Sequence, residues 1–209
     1  VYKRQTVDLL VAMNPAGLKT NLYSVKPGHT IIVDTDSFTK KNLEKAQYAT
    51  NPLTDGSLAN YRVVEVPMTS LTKEALKDVA GLDNKAITRS KNMFALGMVY
   101  WLYSRSTEHT IEFFNKKFKN KPELIESNTK VLNAGFFYAE TIELIPNSYN
   151  VLPAKMQGGK YRIIMGNTAT AWGFLAAAEK SGLELFLGSY PITPATDILH
   201  ELVKHKHFG

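Results

Sequence analysis

The 209-residue chain contains no cysteine. This excludes a disulfide framework, and it excludes any cysteine-held zinc or iron–sulfur cluster within these residues. Histidine is scarce as well. Of five, His200, His205 and His207 fall on or just past the last helical pattern, where a solvated face is expected rather than a metal site. No apolar run is long enough for a bilayer, because the longest, Met93 to Tyr103, falls well short of a span and carries Gly97. The G-x-G-x-x-G fingerprint of dinucleotide folds is missing, and no secretory signal opens the chain. A cytoplasmic protein that does not enter the membrane is expected. An initiator methionine is also lacking. The opening residues VYKRQ resemble a translated adapter and are set aside from fold reasoning, and the chain is expected to be a piece of something longer.

What the chain does contain is 44% hydrophobic residues, ample for one large core or two small ones, and a net charge of +6. The densest basic stretch is Asn115 to Lys121, with Phe113, Phe114 and Phe118 nearby. These aromatics fall with Ile111 on one helical face, which predicts core packing rather than stacking on bases. With no helix-turn-helix, RNA-recognition or zinc-finger pattern, no nucleic-acid partner is expected.

Apolar patterning predicts an α/β fold. Val7 to Met13 reads as a buried strand, followed by a short helix over Ala16 to Leu22, a turn at Lys26-Pro27-Gly28 and a second strand over Thr30 to Asp34. That spacing fits a compact crossover between parallel strands. Asp34-Thr35-Asp36 either caps a turn or holds a ligand. A third strand, Tyr61 to Val66, closes at Pro67, and Thr69 or Ser70 caps a helix over Leu71 to Val79. From Asn84 to about Ile142 the pattern is helical. Gly97 permits close approach of a neighbour, and Pro122 opens the last helix of the set. A polar, Pro/Gly-containing stretch then marks a boundary, giving domains over 6–145 and 161–209 with a linker at 146–160.

The second domain reads as strand (Tyr161 to Met165), turn (Gly166-Asn167-Thr168), alanine-rich helix (Ala169 to Glu179), strand (Leu183 to Gly188) and a stiff SYPITP passage into a final helix. Pro191 ends the strand, Pro194 suits the first helical position, and Thr193 between them is expected as the N-cap. A capping threonine still has an O–H to donate, and the space above a helix N-terminus favours an anion. Gly166, Asn167 and Thr168 form a second possible anion-binding turn on the same expected sheet edge. The plainer alternative is that PITP is only a rigid strand-to-helix turn.

The string GNTATAWGFLAAAEKSGLELFLGSYPITPATDILHEL resembles the start of the pyrimidine-binding domain of 2-oxoacid:acceptor oxidoreductases, its SYPITP matching a YPITP motif. VDLLVAMNPAGLKTNLYSVKPGHTIIVDTD and NMFALG are similar to the γ domain of that family, lacking its N-terminal part. A γ domain ahead of the pyrimidine domain resembles the α subunit of the 2-oxoglutarate:ferredoxin members. The resemblance implies oxidative decarboxylation of a 2-oxo acid to an acyl-CoA, with thiamine diphosphate as cofactor, coenzyme A as co-substrate and ferredoxin or flavodoxin as acceptor. It also implies a β subunit holding magnesium, the diphosphate site and a 4Fe–4S cluster, in a heterodimer or dimer of heterodimers. Thr193 would hydrogen-bond the oxo acid, with Tyr190, Pro191, Ile192 and Pro194 shaping the wall around it.

Two departures accompany the resemblance. The glycine-rich loop that opens the family's γ domain does not precede Val7, and the glutamate that activates the thiamine ring is expected beyond Gly209. The fragment alone is therefore expected to be inactive and, with open strand edges, poorly soluble. Alternatives are a γ-type docking module without chemistry, or the same chemistry on pyruvate or branched-chain oxo acids.

Overall fold

A computed structural model of the chain describes residues 6–80, 82–143, 149–152 and 154–208. It separates into two units, one running to Pro153 and one starting at Ala154. The break falls inside the stretch expected as a linker, of which 146–148 and 153 lie outside the described residues, as do VYKRQ and Gly209.

The first unit is built on three parallel strands, β1 (Val7–Ala12), β2 (Val25–Asp34) and β3 (Arg62–Val66), in the order β1-β2-β3. Helix α1 (Pro15–Asn21) makes the crossover between β1 and β2; Asn14 caps it by accepting from the Gly17 amide at 2.8 Å. The expected turn at Lys26-Pro27-Gly28 lies within β2, not before it. Val7 pairs with Val25 and Leu9 with Thr30, so the chain bulges between those pairs. Pro27 has no N–H for the ladder and Gly28 takes a left-handed φ of 84°, while its amide donates to the Asn60 carbonyl at 2.7 Å.

Both sheet faces are covered, which explains the continuous apolar run in β2. Ile31 and Val33 point to one side, packing with Ala12, Leu18, Val25, Phe38 and Leu58. Ile32 points to the other, with Val66, Met68, Phe94, Met98, Val131 and Ala139. Period-two alternation thus feeds two separate cores.

Helices α2 (Lys40–Lys45), α3 (Met68–Ala75), α4 (Asn84–Leu102), α5 (Glu108–Lys117) and α6 (Pro122–Thr141) complete the unit. The sequence pattern misses α2, whose six residues include one apolar side chain, Leu43, too few for any periodicity. Helices α4 and α6 cross with their backbones in contact. A Cβ on Gly97 would collide with the Leu132 carbonyl and stand 2.7 Å from the Phe136 nitrogen; one on Gly135 would collide with the Phe94 carbonyl. The phenylalanines of α5 divide their roles. Phe114 is buried, but Phe113 is 52% exposed, with the Lys117 Nζ 5.1 Å from its ring centre. The expected common face is corrected accordingly, since Phe113 precedes Phe114 by one residue and a helix turns by about 100° per residue.

The second unit contains α7 (Gly166–Ser181) and α8 (Thr196–Lys204). Gly182, in the left-handed region at φ 69°, ends α7 as expected. Tyr161 to Met165 and Leu183 to Gly188, expected as strands, carry no ladder among the described residues. A parallel strand needs a neighbour to accept its amide hydrogens, and two segments flanking one helix need not adjoin each other in a sheet. Their apolar side chains accordingly stand in solvent; Ile163 and Phe186 are 103% and 90% exposed.

Candidate functional site

Two places in the chain assemble polar groups with a geometry that chemistry can use. The first lies past the carboxyl end of β2. Asp34 is fully buried, and its carboxylate accepts from the Ser37 hydroxyl at 2.8 Å, the Thr69 hydroxyl at 2.9 Å and the Lys91 ammonium at 3.0 Å. Asp36 accepts from the Ser70 amide at 2.7 Å and the Ser70 hydroxyl at 3.1 Å. Both carboxylates therefore sit at the N-terminus of α3, where unpaired amides and the helix dipole favour negative charge. This decides between the two roles open to Asp34-Thr35-Asp36 in favour of capping. Thr69 and Ser70 are not themselves the cap. They lie inside the first turn, and Pro67 occupies the cap position without a side-chain bond.

Lys91 comes from α4, and pattern reading gave no reason to single it out. Beside it lies a cavity of about 410 Å³ lined by Met13, Asn14, Ser37, Asn42, Lys45 and Lys91 among others. Of its polar lining, the Lys91 ammonium is already paired with Asp34, Asn14 caps α1 and the Asn42 Nδ2 donates to the Ser37 carbonyl at 2.9 Å. The cavity's position past the ends of β1 and β2 is where open α/β sheets hold ligands. No group of three or more His, Asp or Glu side chains among the described residues is arranged to hold a metal.

The second place is the pair of turns in the second unit. Chain separation puts Asn167 far from Pro194, yet the Asn167 Nδ2 donates to the Pro194 carbonyl at 2.8 Å. The two turns singled out in the sequence therefore adjoin. Their detailed roles differ from expectation. Helix α8 begins at Thr196, its cap position is Ala195, and no side chain caps it. Thr193 is therefore not the N-cap, and Pro194 is not the first helical residue. Residues 193–195 form a turn of their own, closed by the Thr196 amide donating to the Ile192 carbonyl at 3.1 Å. The consequence for Thr193 is greater freedom: its exposed hydroxyl serves no helix amide and keeps both its donor and its acceptor capacity. Tyr190 and Ile192 beside it are 81% and 61% exposed, and Pro191 and Pro194 are exposed as well. Gly166 and Thr168 stand with Asn167 in the first turn of α7, which also lacks a side-chain cap.

Helices α7 and α8 are tied a second time. The Trp172 Nε1 donates to the Glu201 Oε1 at 3.1 Å, while Lys204 and His205 approach the same carboxylate at 2.8 and 3.3 Å. The Lys204 hydrogen bond, followed by those of Trp172 and His205, holds Glu201 below the usual carboxylate range. The Arg162 guanidinium lies 5.7 Å from the Trp172 ring centre and His205 packs edge-on to the indole. No helix among the described residues is long and apolar enough to cross a membrane.

Comparison with known proteins places this geometry in context. The 2-oxoglutarate oxidoreductase subunit KorA of Mycobacterium tuberculosis (strain ATCC 25618 / H37Rv) is 50% identical over 202 residues, covering 97% of this chain and 31% of that protein. The solved 2-oxoglutarate:ferredoxin oxidoreductase from Magnetococcus marinus, with 2-oxoglutarate, coenzyme A and succinyl-CoA bound, superposes with a TM-score of 0.65. It is 27% identical, over 97% of this chain and 31% of that one. The chain thus spans about a third of the length of the relatives it matches. The family model described as pyruvate ferredoxin/flavodoxin oxidoreductase matches residues 1–138, which take in the three-stranded sheet and nearly all of α6. Sheet, helices and relatives agree, and the chain belongs to the pyruvate ferredoxin/flavodoxin oxidoreductase family.

Proposed function

We propose that this chain is part of the α subunit of a 2-oxoglutarate:ferredoxin oxidoreductase. The observation that carries the reading is the 50% identity to KorA across nearly the whole chain. The reaction consumes 2-oxoglutarate, coenzyme A and two oxidised one-electron carriers. It yields succinyl-CoA, carbon dioxide, two reduced carriers and a proton. Residues 6–145 are read as the γ domain, 146–160 as a linker and 161–209 as the first part of the pyrimidine-binding domain.

Thiamine diphosphate, when bound between this subunit and a β subunit, supplies the carbanion chemistry of decarboxylation. The part left to this chain is positioning. Thr193 donates its hydroxyl hydrogen to the oxo acid, and Tyr190, Pro191, Ile192 and Pro194 wall the approach. The freedom of the hydroxyl from any cap supports that role. Gly166 and Thr168 offer first-turn amides to the same region, whereas the Asn167 carboxamide is engaged with Pro194. By resemblance to the family, the iron–sulfur cluster and magnesium are assigned to the β subunit. Ferredoxin or flavodoxin takes the electrons.

The test is to co-express the full-length α subunit with its β partner and measure reduction of ferredoxin or methyl viologen. The expected result is reduction that requires both 2-oxoglutarate and coenzyme A, with pyruvate and branched-chain oxo acids at least tenfold poorer in kcat/KM. Preference for pyruvate would move the reading to another member of the family. No turnover with any 2-oxo acid by an intact, cofactor-loaded complex would favour a docking module instead.

A further inference from the structure

We propose that Asn167 is a positioning residue for the 2-oxo acid, holding the Tyr190–Pro194 turn so that the Thr193 hydroxyl keeps its aim. The inference rests on the reading of Thr193 as a substrate donor and assigns the group that makes this donor usable.

The turn that carries Thr193 is held in shape locally. The Ile192 amide donates to the Tyr190 carbonyl at 2.8 Å, and the Thr196 amide to the Ile192 carbonyl at 3.1 Å. Neither bond fixes where the turn stands relative to α7. The bond from the Asn167 Nδ2 to the Pro194 carbonyl does, because that carbonyl belongs to the residue directly after Thr193. The same oxygen accepts from the Asp197 amide at 3.1 Å. Both lone pairs are therefore used, one by α8 and one by α7, and the carbonyl is fixed from two directions.

Side-chain chemistry at position 167 fits this task. At the N-terminus of a 16-residue helix an aspartate would be favoured by the dipole. It would, however, set acceptor against acceptor at the Pro194 carbonyl. A carboxamide reaches the same distance and brings a hydrogen to donate.

The second tie between the helices makes the role separable from folding. Trp172 and Glu201 join α7 and α8 farther along both helices, and Ala171 and Leu202 are buried. Removing the Asn167 donor therefore leaves α8 docked while the turn ahead of it gains freedom to swing. A reacting group misplaced by about 1 Å is enough to lower a rate by up to ~100-fold.

The experiment uses the full α subunit co-expressed with its β partner, and compares Asn167→Ala, Asn167→Gln, Thr193→Val and the Asn167→Ala/Thr193→Val double variant. Viologen is the acceptor. The expected result is that Asn167→Ala lowers kcat/KM for 2-oxoglutarate by about 10- to 100-fold. KM for coenzyme A and Tm should hardly move, and Asn167→Gln, which keeps the donor, should recover part of the loss. With Thr193→Val already present, Asn167→Ala should cost no more than about threefold further, because the hydroxyl it aims is gone. If Asn167→Ala fails to assemble, Asn167→Ser is judged by the same criteria. Losses that multiply in the double variant would overturn the proposal, as would a large effect of Thr193→Val with none of Asn167→Ala. A harmless Thr193→Val would instead refute the substrate-donor reading on which the proposal rests.

Discussion

Replacing Gly97 with alanine adds a single methyl group at the point where α4 and α6 touch. That methyl would overlap the Leu132 carbonyl and lie 2.7 Å from the Phe136 nitrogen. A carbon normally approaches a backbone oxygen no closer than about 3.3 Å. The obstruction is backbone on a neighbouring helix, not the end of a flexible side chain, so relief requires the two helices to part by roughly 1 Å, loosening the contacts on either side. Phe94, Met98, Val131, Leu132 and Ala139, all buried along this crossing, lose packing together. Overpacking usually costs about 1–3 kcal/mol, and a backbone clash belongs at or slightly above the top of that range, at ~3–4 kcal/mol. Alanine regains about 1 kcal/mol from helix propensity. The net expectation is a destabilisation of ~2–3 kcal/mol, or a fall in Tm of roughly 5–10 °C for a domain of this size. Thermal unfolding followed by circular dichroism measures it. Gly135→Ala should behave alike, since its methyl meets the Phe94 carbonyl at the same crossing. The double variant should fall short of the sum, because helices already parted by one methyl accommodate the other more easily. Gly173→Ala in α7 of the second unit is the control: nothing lies within 4 Å of its added methyl, so only the propensity gain remains, and the melting of the first unit should not change. An unchanged or raised Tm for Gly97→Ala would refute the backbone contact between α4 and α6.

Other expectations follow from the polar sites. On the proposed function, Thr193→Val in the full α subunit assembled with its β partner should lower kcat/KM for the 2-oxo acid by about 10- to 100-fold, the worth of a hydrogen bond to a charged group, as read by steady-state kinetics with viologen. Lys91→Met should destabilise the first unit by about 2–4 kcal/mol in a denaturant titration, because it leaves the fully buried Asp34 carboxylate without its cation while Ser37 and Thr69 still support it. Glu201 has a depressed pKa, owed first to Lys204 and then to Trp172 and His205, so its stabilising effect is present above the ordinary carboxylate range and is lost as pH falls through the depressed value. Trp172 fluorescence should report that loss in acid, and Glu201→Gln should abolish the transition. Residues 154–209 expressed alone should melt without a cooperative transition and bind a hydrophobic dye, given the exposure of Ile163, Met165, Leu183 and Phe186.

Most of the first unit was legible because its signals are local. A run of β-branched and apolar residues bounded by Pro67 or Asn14 reads as a buried strand whatever surrounds it, and Pro122 announces a helix by its own backbone chemistry. Gly97 could be read as a place of close approach. Its counterpart Gly135 could not, because which residues of α6 face α4 is fixed only when the helices cross. The pairing of Lys91 with Asp34 is hidden for the same reason: 57 residues separate them, and nothing near either one names the other. At Thr193 the two prolines marked a turn, and the hydroxyl was read as a cap's acceptor with its O–H to spare. The cap assignment failed because residues 193–195 close a turn of their own before α8 begins. The strands expected at 161–165 and 183–188 illustrate a further limit. Apolar sequence states that a segment is to be covered, but a ladder exists only where a neighbour lies alongside.

The uncovered segments of the second unit also bear on the order of events during synthesis. The first unit closes both of its cores from residues upstream of the boundary, so it can fold while later residues are still being made. Segments 161–165 and 183–188 emerge afterwards, at about 5–20 residues per second, and neither has a ladder partner within the second unit among the described residues. Until a neighbouring strand arrives, each is an open edge that another nascent copy could occupy. Yield of the assembled enzyme should therefore depend on how quickly cover arrives. Slower translation across this region, or a delayed supply of a partner subunit, should reduce it while leaving the stability of the finished protein unchanged.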